Sequence, residues 1–303
     1  MDSALRTKRI NAVRAVIERG FNAGEMVGAE VCDETFVNHV CVYGVPMGGE
    51  AVDEHVRMIR TAYPDIDICV TDIVASDDTV AVLWVSRGTA SGSYMGLEAT
   101  GRPFFTTQIA FYRFASDRLI EWTGTFDSLA ILRAVLGRVE PTPFVSLDPR
   151  PEPWSAATAR PQPTGPTPQS DIAVAIASGF GGGDFPSAVD ADTVLHVAGR
   201  EPQRGREPFA ARMRELAADF GPLTIAPVTV LEDGALVAVR WRVDGRHLGK
   251  HLGLRPTGRP VTMFPSAIVR FDGDRVVSFQ EIFDDTSFVD QTKTQHLLTQ
   301  TEL

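Results

Sequence analysis

A repeat at a constant offset of 157 residues constrains this chain more than any other feature. At that offset His39 meets His196, Gly48 and Glu50 meet Gly205 and Glu207, and Trp84 meets Trp241. Gly96-Leu97 meets Gly253-Leu254, and Thr100-Gly101-Arg102-Pro103 meets Thr257-Gly258-Arg259-Pro260. Arg113-Phe114, Asp117-Arg118 and Phe126-Asp127 find the same dipeptides at Arg270-Phe271, Asp274-Arg275 and Phe283-Asp284. No gap interrupts the match from His39 to Asp127, and upstream FNAGE at Phe21 aligns with FGGGD at Phe180 after a two-residue deletion. Two copies are too few for a solenoid, whose stacked repeats share one core. Two globular units of one kind are expected.

Between the copies runs EPTPFVSLDPRPEPWSAATARPQPTGPTPQ, with proline at nearly every third place. Such a stretch suits neither a helix nor a central strand and predicts a stiff, largely extended spacer. Trp154 and Phe144 are unusual in a free linker, which implies that part of it packs against a unit. The expected organisation is a first copy over 1–137, a linker over 138–170, a second copy over 171–290 and a tail over 291–303.

Within each copy, helical patterns come first and strand patterns follow. Ile10 to Gly20, Val27 to Cys32 and Gly49 to Ala62 read as helices, as do Ala173 to Ser178 and Pro208 to Asp219. Ile66 to Val74 and Val80 to Gly88 flank the turn Ser76-Asp77-Asp78, and Leu223 to Leu231 and Leu236 to Val243 flank Glu232-Asp233-Gly234. After the Thr-Gly-Arg-Pro turns come strands Phe104 to Phe114 and Val261 to Phe271, and Ser128 to Leu136 closes the first copy as a helix. Helices followed by antiparallel strands define an α+β class. A curved sheet wrapped around helices, with one concave pocket, is expected in each unit.

Composition bounds the partners. A net charge of -10 over 303 residues disfavours nucleic acid and anionic membrane surfaces. No apolar run approaches the roughly 18 residues needed to span a bilayer, and the N-terminus reads as an amphipathic helix rather than a signal peptide. Cys32, Cys41 and Cys69 show no metal spacing, so reduced thiols in a cytoplasmic protein are expected. No phosphate-binding loop or zinc-ligand pattern is found.

The most informative stretch is Arg275 to Asp285, RVVSFQEIFDD. Alternation puts Phe279, Glu281 and Phe283 on one face. A carboxyl between buried phenylalanines, with Met263 or Phe264 close by, resists ionisation because desolvation disfavours its charged form. Glu281 is thus expected to be a neutral general acid. Arg240 and Arg242 have opposite parity to Trp241 and are expected to point away, leaving the acid unpaired. A salt bridge to either arginine is the structural alternative. The twin stretch, RLIEWTGTFDS, has Gly124 at the acid's position.

GRHLGKHLGLRPTGRPVTMFPSAIVRFDGDRVVSFQEIFDD, with SYMGLEATGRPFFTTQIAFYRFASDRLIEWTGTFDSLAILRAVLG in the first copy, resembles the SnoaL-like polyketide cyclases, which have the nuclear transport factor 2-like fold. The resemblance covers nearly everything but the linker and tail. It implies two tandem cone-shaped domains packed sheet to sheet as an intrachain pseudo-dimer, with homodimerisation as a further option. It also implies aldol-type ring closure of a polyketide-like small molecule, without metal or cofactor, in secondary metabolism such as antibiotic biosynthesis. Epoxide opening, isomerisation and non-catalytic binding of a hydrophobic metabolite are carried by the same fold. The family's catalytic carboxylate falls on Glu281 and its Gly-x-His-x-Gly histidine on His247; in the first copy these positions are Gly124 and Ala90. Glutamate stands where the family usually has aspartate. The second copy is therefore expected to be the chemical one.

Other candidates carry a structural reading beside the functional one. Asp284 joins the candidate catalytic set, yet an aspartate before Asp285-Thr286-Ser287-Phe288 equally suits a helix N-cap, as does Asp127 before its leucine-rich helix. His251, His196, Met263, Phe279 and Trp241 are candidate substrate contacts in the second copy. Trp84, Tyr94, Gln108 and Trp122, with Tyr43 nearby, are candidates in the first. Tryptophans on sheet faces serve as core or as stacking platforms, and His39 and His196 suit a pocket rim or a structural hydrogen bond.

Overall fold

Apolar residues at helical spacing, Ile10, Val13, Ile17 and Phe21, are fully buried along the first element of the chain. The computed structural model describes residues 3–40, 47–76, 78–94, 98–136, 153–160 and 167–292. Its chain divides into two compact units, Met1–Gly124 with Ala130–Gln162, and Thr125–Leu129 with Pro163–Leu303.

In the first unit α1 (Ser3–Arg14) runs on as a π-helix over Ala15–Asn22. Then follow α2 (Gly28–Val31), β1 (Cys32–Asn38), α3 (Gly49–Ala62), β2 (Asp67–Ser76), β3 (Thr79–Thr89), β4 (Pro103–Ala115) and β5 (Arg118–Phe126). The strands form one sheet in the order β1-β5-β4-β3-β2. Its pairings are antiparallel from β2 to β4, while β1 lies parallel to β5. The close approach of α2 to α3 depends on glycine, since a Cβ on Gly28 would lie 2.0 Å from the Gly49 carbonyl oxygen.

The linker departs from the extended spacer expected of it. After α4 (Ser128–Val135), residues Pro153–Ala159 form a helix, α5. Proline at a first helical position leaves no hydrogen bond unmade, and the following WSAATA favours helix. Trp154 is buried and within cation–π distance of Arg14, at 6.0 Å. The Arg6 guanidinium donates to the Ala157 carbonyl at 3.0 Å and to that of Ala75. Phe144 and Tyr43 lie outside the described residues.

The second unit repeats the plan: α6 (Pro168–Gly179), β6 (Val194–Val197), β7 (Gln203–Arg204), α7 (Arg206–Phe220), β8 (Thr224–Asp233), β9 (Leu236–Arg246), β10 (Pro260–Met263), β11 (Ser266–Asp272), β12 (Arg275–Ile282) and α8 (Asp285–Thr292). Thr167 caps α6, which starts five residues before the expected Ala173. The sheet runs β10-β9-β11-β12-β6-β7, with β8 on β9 and β6 parallel to β12. The single strand expected over Val261 to Phe271 is broken into β10 and β11, because Pro265 has no N–H to give to a ladder. No helix among the described residues is long and apolar enough to cross a membrane.

Candidate active site

Strand β12 is buried on both faces near its end: Phe279, Glu281 and Ile282 are fully buried and Gln280 nearly so. Phe279 packs 6.2 Å from Trp241 and 6.0 Å from Phe209. Glu281 stands opposite Ala267 of β11; Met263, although buried, belongs to β10 and pairs with Val243 of β9. The residue directly across the ladder from the acid is therefore a small one.

The acid is also not unpaired. Arg212 of α7 donates from Nε to Glu281 Oε2 at 3.2 Å and from Nη2 to Oε1 at 3.4 Å. Both side chains are almost completely buried, at 3% and 0% exposure. Arg240 and Arg242 do turn elsewhere: Arg240 sits 4.8 Å over the Phe264 ring, and Arg242 pairs with Asp244. The partner comes from a helix and not from the neighbouring strand. Arg212 lies on the apolar stripe Phe209, Arg212, Leu216 and Phe220, all buried. An arginine at a core position of an amphipathic helix demands a buried anion, and this signal was present in the sequence.

The guanidinium also reaches Glu215 at 3.4 Å and lies 4.8 Å over the ring of Phe283. Burial alone lowers the Arg212 pKa, but Glu281 and Glu215 beside it outweigh burial and raise it. This arginine therefore stays charged.

A second polar group surrounds His251, just past the Gly-x-His-x-Gly turn. Its Nδ1 lies 3.1 Å from Asp219 and its Nε2 2.6 Å from Asp285. Burial pulls the imidazole pKa down, yet the hydrogen bonds to Asp219 and Asp285 pull it up further, and the net direction is upward. His251 packs 4.8 Å from both Phe220 and Phe288. Asp219, Asp285, Phe220 and Phe288 are cluster members that sequence reasoning missed.

His247 is fully buried and 4.8 Å from Phe288. Its Nδ1 accepts from the Thr257 backbone N–H at 3.3 Å, which assigns the proton to Nε2 in the neutral ring. Nε2 has no hydrogen-bond partner. Burial, and then the neighbouring His251, lower the His247 pKa; Asp219 and the Gly249 backbone oppose this only in part. A neutral, buried ring is the result.

Asp284 spends its carboxylate on the backbone, accepting from Phe264 N–H at 2.9 Å and from Ser287 N–H at 3.2 Å. It caps α8, and the catalytic expectation for it is withdrawn in favour of that role. His196 lies on β6 opposite Gln280, half-buried, with its pKa lowered by burial. His39 makes a surface contact of 3.1 Å with Glu121.

The first unit brings together a different set. Trp84, Tyr112 and Trp122 form one aromatic cluster, with Tyr112 stacked on Trp122 at 5.0 Å. Tyr94 instead joins Tyr63, at 5.4 Å. His55, at the position of Arg212, stacks on Trp122 at 5.1 Å and receives the Asn38 amide on Nδ1 at 3.1 Å. At Gly124 a Cβ would lie 2.7 Å from the Ile109 carbonyl and 3.1 Å from Ala110 Cα, so no acid can be grafted there without moving backbone.

Burial lowers the His55 pKa from 6.5 to about 4. Folding favours its neutral form, so its contribution is intact above pH 6.5 and is lost as pH falls from there to about 4. The full loss is on the order of 3 kcal/mol. His55→Phe should therefore flatten the first unit's urea stability across that window, read from tryptophan fluorescence. An unchanged acid slope would refute the assignment.

The second unit is thus a sheet-walled α+β unit that holds a buried carboxylate with its guanidinium partner and a histidine packed on Phe288. The SnoaL-like polyketide cyclase family matches at residues 11–135 and 183–292, and the chain belongs to that family, in two tandem copies of its nuclear transport factor 2-like fold. Among solved structures, IdmH of Streptomyces antibioticus, described as a candidate polyketide cyclase, is 29% identical over 42% of this chain and 96% of its own, with a TM-score of 0.36. A candidate SnoaL-like polyketide cyclase from Jannaschia sp. CCS1 is 19% identical over 43% of this chain and 93% of its own, with a TM-score of 0.39. A protein of ketosteroid isomerase-like fold from Catenulispora acidiphila, solved with trimethylamine, is 17% identical over 41% and 92%, with a TM-score of 0.35. No curated protein matches the chain.

Proposed function

We propose that the chain is a cofactor-independent cyclase that closes a ring in a polyketide-like small molecule by an aldol reaction in its second unit. The observation that supports this reading is the Glu281 carboxylate held by Arg212 beneath Phe283, with His247 offering a buried N–H. In this reading Glu281 takes a proton from the carbon beside a substrate carbonyl. The His247 Nε2–H donates to the oxygen on which enolate charge develops. The enolate carbon attacks a second carbonyl, forming the ring bond, and the new alkoxide takes the proton back from Glu281. Atoms and charge balance, and the site returns to its starting state. Facing the Arg212 guanidinium, Glu281 takes the role of base in this reading, in place of the general acid expected from the sequence.

The test is turnover of an anthraquinone methyl ester bearing a 3-oxo side chain, followed by chromatography and mass spectrometry. The expected product has unchanged mass, or is one water lighter after dehydration. A hydrolysed acid as the only product, or no product above the uncatalysed rate, overturns the reading.

A further inference from the structure

His251 has a carboxylate on each side. Its Nδ1 lies 3.1 Å from Asp219 Oδ2, at the end of α7, and its Nε2 lies 2.6 Å from Asp285 Oδ1, at the start of α8. A carboxylate only accepts hydrogen bonds and a neutral imidazole has one N–H to give, so two such contacts call for an imidazolium. The ring is 6% exposed and packs on Phe220, Phe283 and Phe288, so the two carboxylates are what meets its charge.

The same cluster reaches His247. Its turn is laid on the end of α7, where the Asp219 carbonyl accepts from Leu248 and Gly249 N–H at 2.8 and 2.9 Å. A Cβ on Gly249 would lie 2.6 Å from Asp219 Cα, so glycine is required at this approach. Both imidazoles stand perpendicular to Phe288 of α8, each with its ring centre 4.8 Å away. Of the other charged groups, Arg212 of α7 lies over Phe283 and interacts with Asp285 through its charge, and Lys250 of the turn is exposed.

The first unit has none of this. At the positions of Asp219, His247, His251 and Asp285 stand Ala62, Ala90, Tyr94 and Ser128, and at that of Glu281 stands Gly124. A clasp that served only the fold would be expected in both copies. This one is present with the acid and His247, and missing where they are missing.

We infer that His251 is a positioning residue for the ring closure proposed above: an imidazolium fixed between Asp219 and Asp285, it fastens α8 to the end of α7 and keeps its neighbour His247 uncharged. The inference rests on that reading of the site, in which His247 must offer the same N–H at every turnover. A second charge beside the first is disfavoured, so His247 stays in one form. Burial lowers the His251 pKa, but Asp219 and Asp285 outweigh it and raise it; burial and then His251 lower that of His247.

The test is an NMR titration of the histidine ring C–H signals of the full chain, the signals being identified by their absence from His251→Gln and His247→Gln. Wild-type His251 should lose its proton above pH 6.5, and His247 below it. Asp285→Asn, chosen because Asp219 also acts on His247, should lower the proton affinity of His251 about tenfold. In His251→Gln, His247 should bind its proton at least about threefold more tightly, and exchange protection of the Phe288 amide should fall about tenfold. A wild-type His251 that titrates at or below pH 6.5 overturns the inference, as does a His247 titration that is the same in wild type and His251→Gln. An unmoved His251 titration in Asp285→Asn overturns it too, whether or not His251→Gln folds. No substrate is involved, so the titrations can fail while ring closure stands, and hold while ring closure fails.

Discussion

On the proposed reading, replacing Glu281 with glutamine should lower the rate of ring closure by about 10²–10⁴-fold, the usual contribution of a positioned acid or base. The amide cannot take the substrate proton. Its shape is conserved, but one of its atoms becomes a donor facing an Arg212 donor, so the second unit also loses about 1–3 kcal/mol. The two effects separate cleanly, because single-turnover rates are measured at a temperature where circular dichroism shows the variant folded. Tyr94 and Gln108 lie in the first unit, and changing either should leave ring closure within a few-fold of wild type. Full activity in Glu281→Gln, with loss in the first-unit variants, would reverse the assignment of the chemical copy.

Arg212→Met destabilises the second unit by about 3–5 kcal/mol, because Glu281 is left buried without its counter-charge. The loss is read as a shift of the Trp241 unfolding transition in urea. Adding Glu281→Gln to Arg212→Met should restore a substantial part of it, since a neutral amide beside methionine carries no unpaired charge. The double variant should remain inactive. If the single change costs less than 1 kcal/mol, the pair is not the buried anchor described above, and the site would need another source of order.

Much of the architecture was legible in the residues. The constant offset required two copies of one fold, and the burial expected for Phe279, Glu281 and Phe283 is found, the first two on β12 and the third just past its end. The partner of Glu281 was missed because strand alternation describes only the sheet, whereas Arg212 comes from a helix 69 residues earlier in the chain. The Asp219–His251–Asp285 group was missed for the same reason: its members come from the end of α7, a short turn and the start of α8, and no local spacing unites them. Burial sets the cost of a charge, but the nearest opposite charge decides whether that cost is met.

Helix α5 has a consequence for how this chain behaves when concentrated. Strand β2 lies at the edge of its sheet, where outward carbonyls invite a strand from another molecule. Those of Ala75 and Ile73 are already taken, by Arg6 and by Arg160 at the end of α5. The corresponding strand β8 contains Pro227, at an irregularity in its pairing with β9, where a missing N–H interrupts any incoming ladder. Each unit thus blunts its sheet edge by its own device, one with guanidinium groups and one with an imino acid, and neither edge offers a template for strand-to-strand aggregation.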